Sequence, residues 1–209
     1  MDVINYLKDI YGYATPIFLK DIRIGGKSKT AIRKELSRAV EQNRIFRRSQ
    51  GVYYFRENDK LSLNLSFEQI IEKRFVKDDH GFPTLDLDVY GYYTGHTFLH
   101  MIGISQQVPA VIEVTTNKTS CKRYYQSGKF FALLRKGRIE INGSNYKALQ
   151  FFDMISSFLT QEEVKKNKVL LTKYIELNLT KKDFVDYIGL YSGKVMKAIV
   201  EEGLINAFK

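Results

Sequence analysis

The 209-residue chain is 44% hydrophobic and 13% aromatic, enough apolar content for one or two domains with real cores, which excludes a disordered polyelectrolyte. Its formal net charge is +10 at pH 7, and residues 1 to 56 carry 12 Lys/Arg against 5 Asp/Glu, whereas the other 153 carry 21 against 18. Positive charge concentrated over a small area attracts phosphate backbones and releases their counterions, so the amino-terminal quarter reads as a nucleic-acid-binding head.

The chain opens on MDVINYLKDIYGY, which has neither the basic start nor the apolar run of a secretory signal. No uncharged apolar stretch reaches the roughly 18 residues needed to cross a bilayer, so a cytoplasmic protein with no membrane partner is expected. Asp2 is an N-cap, and Val3, Ile4, Leu7 and Ile10 recur at helical spacing, predicting a first helix from about Val3 to Tyr11 that stops near Gly12. Thr15-Pro16 resembles a cap and first-turn pair, and Ile17, Phe18, Leu19 and Ile22 predict a short second helix ending before Gly25-Gly26. Ser28 caps a predicted third helix with Ile32, Leu36, Ala39 and Val40 on one face and Thr30, Arg33, Lys34, Ser37 and Arg38 on the other. After Asn43, RIFRRSQGVYYF alternates like a hairpin, Ile45 to Arg48 and Val52 to Phe55 being joined by Ser49-Gln50-Gly51.

Helix, helix, basic helix and basic hairpin in that order predict a winged helix-turn-helix, with the third helix in a major groove and the hairpin as the wing. Arginine and lysine neutralise phosphates or pair with guanine edges, and serine and threonine bond to either. The candidate DNA-binding residues are Lys27, Ser28, Lys29, Thr30, Arg33, Lys34, Ser37 and Arg38 at and along the helix, with Arg44, Arg47 and Arg48 at the hairpin. The alternative for these residues is a solvated basic face without a partner.

Beyond a linker at Glu57 to Lys60, Ser66 with Gln69 forms a capping-box pattern ahead of the apolar stripe Phe67, Ile70, Ile71 and Phe75. A short helix around Phe98, Leu99 and Ile102 ends at Gly103, and Val108 to Thr115 reads as a buried strand. Strands are predicted at Lys122 to Gln126, Lys129 to Leu134 and Arg138 to Ile141, then a helix from about Asn145 to Phe158, giving an antiparallel sheet with flanking helices.

Several segments of this region carry a resemblance: Gly91-Tyr92-Tyr93-Thr94-Gly95, Gly103-Ile104-Ser105-Gln106-Gln107-Val108-Pro109, Glu113-Val114-Thr115-Thr116-Asn117, Leu133-Leu134-Arg135-Lys136 and Leu149-Gln150-Phe151-Phe152-Asp153. Together they resemble the AbiEi antitoxin family of type IV toxin-antitoxin systems, over residues 1 to about 160 and most specifically over 91 to 117. The turn departs from the family's commoner Gly-Leu-Thr-Thr, reading Gly103-Ile104-Ser105-Gln106. The resemblance implies a winged helix-turn-helix head before an α/β antitoxin domain. It also implies a repressor of its own operon, bound to repeats in its own promoter, that counters a nucleotidyltransferase toxin of the AbiEii type without a stable complex. No enzymatic activity and no cofactor are expected, and no antitoxic residue is assigned.

Some residue patterns suggest other chemistry. Asp86-Leu87-Asp88 has strand spacing for Mg²⁺, which keeps a metal-dependent nucleic-acid enzyme with the same head as an alternative. However, Gly143-Ser144 comes long after this pair instead of shortly before it, and Glu113 is followed by Thr115 where a restriction-type nuclease has lysine. His96 and His100 stand four apart, with Cys121 as a conceivable third ligand, but no HExxH or CxxC pattern accompanies them. As a lone cysteine, Cys121 reads instead as a small core or strand residue of a protein in a reducing compartment. Gly25-Gly26-Lys27-Ser28 lacks the upstream glycine of a P-loop. Lys118, Lys122, Arg123, Lys129, Arg135, Lys136 and Arg138 make a second basic concentration, read equally as nucleic-acid contacts or as solvated charges. A protein-interaction module using the basic face is the remaining alternative.

Residues 161 to 209 predict a helical appendage. Val164, Leu170, Leu171, Tyr174 and Ile175 mark one helix, Thr180 with Asp183 caps a second, and Ser192 starts a third; their lysines are balanced by acids. The predicted fold class is α+β: a winged helix-turn-helix over 1–56, an α+β antitoxin-like domain over 61–160 and a helical tail over 161–209.

Overall fold

The computed structural model describes residues 2–56, 65–78 and 88–209. The predicted linker Glu57 to Lys60, the start of the second domain at residue 61, and Asp86 of the paired carboxylates lie outside the described residues. The chain is mixed α and β, and it divides into two compact units. The first comprises Met1–Arg74, Asp78–Leu87 and Ser127–Lys129, and the second Phe75–Lys77, Asp88–Gln126 and Phe130–Lys209. No described helix is long and apolar enough to cross a membrane.

In the first unit, the Asp2 carboxylate accepts from the Ile4 N–H at 2.9 Å and starts α1 (Val3–Tyr11), which buries Val3, Ile4 and Leu7 and stops at Gly12. The predicted second helix does not form. Ile17–Phe18 is a strand, β1, and the Thr15 hydroxyl donates to the Tyr13 carbonyl at 3.2 Å instead of capping a helix. Paired antiparallel with Tyr53 and Val52, Ile17 and Phe18 are buried to 0% and 4% exposure, and this long-range pairing overrides the local helical spacing. Helix α2 (Lys29–Glu41) is capped as predicted, Ser28 Oγ accepting from the Ala31 N–H at 3.2 Å, and buries Ile32, Leu36 and Ala39.

The hairpin is present as β2 (Phe46–Ser49) and β3 (Val52–Tyr54), turning at Gly51 with φ +73°. The antiparallel sheet has the order β1-β3-β2, with Ile17 opposite Tyr53 and Phe46 opposite Tyr54. Val3, Leu7, Ile17, Ile32, Leu36 and Ile45 meet in its core. The capping box at α3 (Phe67–Ile71) closes as predicted, Ser66 Oγ accepting from Gln69 N–H at 3.1 Å and Gln69 Oε1 from Ser66 N–H at 2.8 Å. A π-helical turn over Glu72–Val76 follows α3.

Two short strands, β4 (Lys77–Asp78) and β5 (Asp88–Val89), flank residues 79–87. The sheet of the second unit comprises β6 (Gly91–Tyr93), β7 (Ile112–Thr116), β8 (Arg123–Ser127) and β9 (Phe130–Arg135) in the order β6-β7-β9-β8. It is mixed, correcting the antiparallel expectation. Strands β6 and β7 are antiparallel, but β9 runs parallel to β7 with Ile112 opposite Ala132, because β8 occupies the edge and leaves a slot that β9 fills on its return. The predicted strand at Arg138 to Ile141 is also absent. The Asn117 side chain takes the place of a neighbouring strand there, donating to the Ile141 carbonyl at 2.8 Å and accepting from the Ile141 N–H at 3.0 Å.

Helix α4 (Gly95–Met101) follows β6 directly. Gly95 has φ +60°, and a Cβ there would fall 2.3 Å from a carboxylate oxygen of Glu113. That carboxylate, on a residue only 7% exposed, accepts from the His96 N–H at 3.1 Å and from Arg135 Nη2 at 2.8 Å, tying the start of α4 to β7 and β9. Helices α5 (Tyr146–Ser157), α6 (Gln161–Lys166), α7 (Lys168–Asn178), α8 (Lys181–Tyr187) and α9 (Gly193–Glu201) complete the chain. Residues 161–209 do not stand apart as an appendage. Leu171, Ile175, Val195, Ile199, Leu204 and Phe208 share one core with Phe151 and Phe152 of α5, and the Phe152 and Phe208 rings stack.

A polar network sits within this unit. The Tyr92 hydroxyl, on a residue 2% exposed, donates to Asp153 Oδ2 at 2.6 Å, and Arg138 Nε donates to the other oxygen at 3.3 Å. Burial, then the Asp153 charge, pushes the Tyr92 phenol far above its ordinary range. Tyr92→Phe removes a donor to a charged acceptor and is expected to cost about 2 kcal/mol, read as a lower urea midpoint at unchanged slope. An unchanged midpoint would show that the bond contributes nothing net.

Candidate nucleic-acid interface

Helix α2 presents two polar stripes, each repeating every fourth residue. Lys29, Arg33 and Ser37 form one; Thr30, Lys34 and Arg38 form the other, about 100° further round the helix. All six are exposed, and Lys29, Arg33, Lys34 and Arg38 have no hydrogen-bond or ion-pair partner among the described residues. The buried stripe of Ile32, Leu36 and Ala39 fixes the rotation of the helix, so the amphipathic pattern itself turns these cations outward.

The first stripe does not face open solvent alone. Lys29, Arg33 and Ser37 line a cleft of about 630 Å³ whose far wall is the hairpin, through Arg47, Gln50 and Gly51. The cleft thus brings together four predicted residues, three from the helix and one from the hairpin. Two residues the sequence did not flag complete the cationic rim: Lys20, from the turn after β1, and Arg74, from the π-helical turn, whose guanidinium carbon lies 5.3 Å from the Phe18 ring centroid. Neither carries a local signal, since both come from segments with no basic periodicity.

Other predicted residues have structural partners. Ser28 is the helix cap, and Lys27 Nζ sits 2.5 Å from Glu35 Oε1. Arg44 Nη2 is 2.5 Å from Asp2 Oδ2, and that contact, with the Ile4 N–H, holds the Asp2 carboxyl below the usual carboxylate range. Arg48 Nε donates to the Leu65 carbonyl at 2.9 Å. The exposed candidates without a hydrogen-bond or ion-pair partner among the described residues reduce to the two stripes, and Arg47, also exposed, donates from Nε to the Ser49 carbonyl at 3.4 Å.

The second basic concentration is largely engaged within its own unit. Lys118 lies over the Tyr90 ring at 4.2 Å, Arg123 Nε donates to Thr119 Oγ1 at 3.1 Å, Arg135 pairs with Glu113 and Arg138 with Asp153. His96 packs edge-on to Phe158, His100 Nδ1 is 3.3 Å from the Ser105 carbonyl, and Cys121 is exposed. In the tail, Lys182 pairs with Asp186 and Lys197 with Glu201.

Compared with family models, with curated proteins and with solved structures, the chain gives no match in any of the three.

Proposed function

We propose that the chain is a cytoplasmic, non-enzymatic DNA-binding regulator of the antitoxin type. In this reading its first unit is a winged-helix head in which a strand and turn replace the second helix, α2 is the recognition helix and β2–β3 the wing. The observation that carries it is the outward face of α2, where Thr30, Lys34 and Arg38 stand exposed and the two cations are unpaired among the described residues. A helix fits a major groove, and cations without a protein partner are available to phosphates and guanine edges. Arg47 on the hairpin adds a cation beside the neighbouring stripe, lining the cleft with Lys29, Arg33 and Ser37.

The antitoxin half rests on the resemblance over residues 91–117, which fall on β6, α4, the turn after it and β7. It takes the chain to repress its own operon and to counter a nucleotidyltransferase-like toxin without a stable complex.

Gel shifts with duplex from the chain's own upstream region, over a salt series, test the regulator. If about six phosphates are neutralised, log affinity falls against log salt with a slope near −5. Equal affinity for unrelated duplex would end the claim of specific repression. Rescue of growth on co-expression with an adjacent nucleotidyltransferase-like gene tests the antitoxin half, and failure of rescue with a folded chain would remove it.

A further inference from the structure

The two stripes of α2 meet different surroundings, and that difference points to a second ligand. Thr30, Lys34 and Arg38 face outward on a convex helix, the shape a duplex groove accepts. Lys29, Arg33 and Ser37 face into the hollow of about 630 Å³ in front of the hairpin. The volume lies inside the range of about 300–1,000 Å³ that small-molecule sites occupy.

The lining of the hollow is one-sided in charge. Lys20, Lys29, Arg33, Arg47 and Arg74 contribute cationic groups, and among the described residues no carboxylate lines it, the nearest recorded partner being Asp21, 4.0 Å from Lys20 Nζ. Such a cluster suits a compact ligand carrying several negative charges, with guanidinium groups offering paired donors to phosphate oxygens. Its floor is not polar: Phe18, Leu19 and Tyr53 underlie the cations, with the Gly51 backbone open beside them. Bare phosphate would use the rim and leave this floor uncovered, whereas a ligand with a flat ring next to its phosphates covers both. Gln50 and Ser37 supply neutral hydrogen-bonding groups for such a ring or its sugar.

We propose that this cleft is a receptor for a free nucleoside di- or triphosphate, whose occupancy draws Arg33 and Arg47 away from DNA and so releases the head from its operator. The receptor stands on the cleft alone, and the effect on DNA rests on the regulator reading above.

Isothermal titration of the full chain with ATP, tripolyphosphate and adenosine, in magnesium-free buffer at constant ionic strength, tests the receptor. ATP is expected to saturate one site per chain, with tripolyphosphate and adenosine each weaker by at least about tenfold. Arg33→Ala and Lys20→Ala are each expected to weaken ATP by about tenfold or more, while Lys34→Ala leaves it unchanged. All three positions are exposed, so unchanged circular dichroism and melting are expected to accompany these variants. In parallel gel shifts, ATP is expected to displace labelled duplex.

Absence of saturable ATP binding in a chain that still shifts duplex overturns the receptor and leaves the regulator standing. Saturable ATP binding without any duplex binding overturns the regulator and leaves the receptor. Tripolyphosphate as tight as ATP, or ATP binding that survives both Arg33→Ala and Lys20→Ala, overturns the receptor. A 5′-phosphorylated dinucleotide tighter than ATP assigns the cleft to a strand end and overturns it as well. ATP that binds without displacing duplex overturns the proposed release.

Discussion

Gly91→Ala is expected to destabilise the second unit by at least about 3 kcal/mol, enough to unfold it wholly or in part at 37 °C. A Cβ at Gly91 would fall 2.0 Å from the Phe75 carbonyl oxygen and 2.8 Å from that of Thr115. Both obstacles are backbone atoms and neither can swing aside. Thr115 lies in the ladder with Tyr92 opposite it, and the chain beside Phe75 is held by the Tyr90 N–H donating to the Val76 carbonyl at 2.9 Å. Relief requires β6 to leave the sheet, which exposes Tyr92 and breaks its bond to Asp153. Urea denaturation followed by circular dichroism measures the loss. Gly143→Ala, at a position with open space around it, is the control and is expected to stay within about 0.5 kcal/mol of the parent. A Gly91→Ala chain as stable as that control would mean the approach of residues 75 and 91 is looser than described.

Lys34→Ala with Arg38→Ala is expected to lower affinity for operator duplex on the order of 100-fold and to make the salt slope shallower by about two. The two side chains sit one helical turn apart on the outward stripe, and each neutralised phosphate they give up returns about one counterion to the duplex. Because neither has a hydrogen-bond or ion-pair partner among the described residues, their removal breaks no such bond there, and the melting temperature is expected to hold. Arg44→Ala provides the contrast: its guanidinium is committed to Asp2, so loss of that side chain is expected to change DNA binding far less than the double variant. Equal effects of the two changes would place the binding surface elsewhere on the head.

Features closed within a few residues were legible before any coordinates. The caps at Asp2 and Ser28 and the boxes Ser66–Gln69 and Thr180–Asp183 each join groups two or three residues apart, so the residue types alone specify them. The rotation of α2 was legible for the same reason, its apolar stripe recurring within one element. What failed depended on distant partners. Ile17 and Phe18 have helical spacing with Ile22, but their strand partners, Tyr53 and Val52, come more than thirty residues later. Ile141 reads as a strand residue because its backbone is bonded like one, yet the partner is a side chain, Asn117. Nothing in the local pattern of residues 123–135 states that β9, not β8, lies beside β7. The cleft on the head was half legible: Lys29, Arg33 and Arg47 were flagged, whereas Lys20 and Arg74 join them only through the folding of α3 and the turn after β1.

The strand order of the larger sheet also governs how that unit can assemble. Strand β7 gains β6 on one side from nearby sequence, but its other side stays open until residues 130–135 are available, because the intervening β8 cannot pair with it directly. Zippering in chain order is thus impossible, and the loop linking the parallel pair must close before those hydrogen bonds form. During synthesis on the ribosome the backbone N–H and C=O groups along that edge of β7 wait unpaired while the next strand emerges, and an unpaired strand edge is a template for aggregation during this interval.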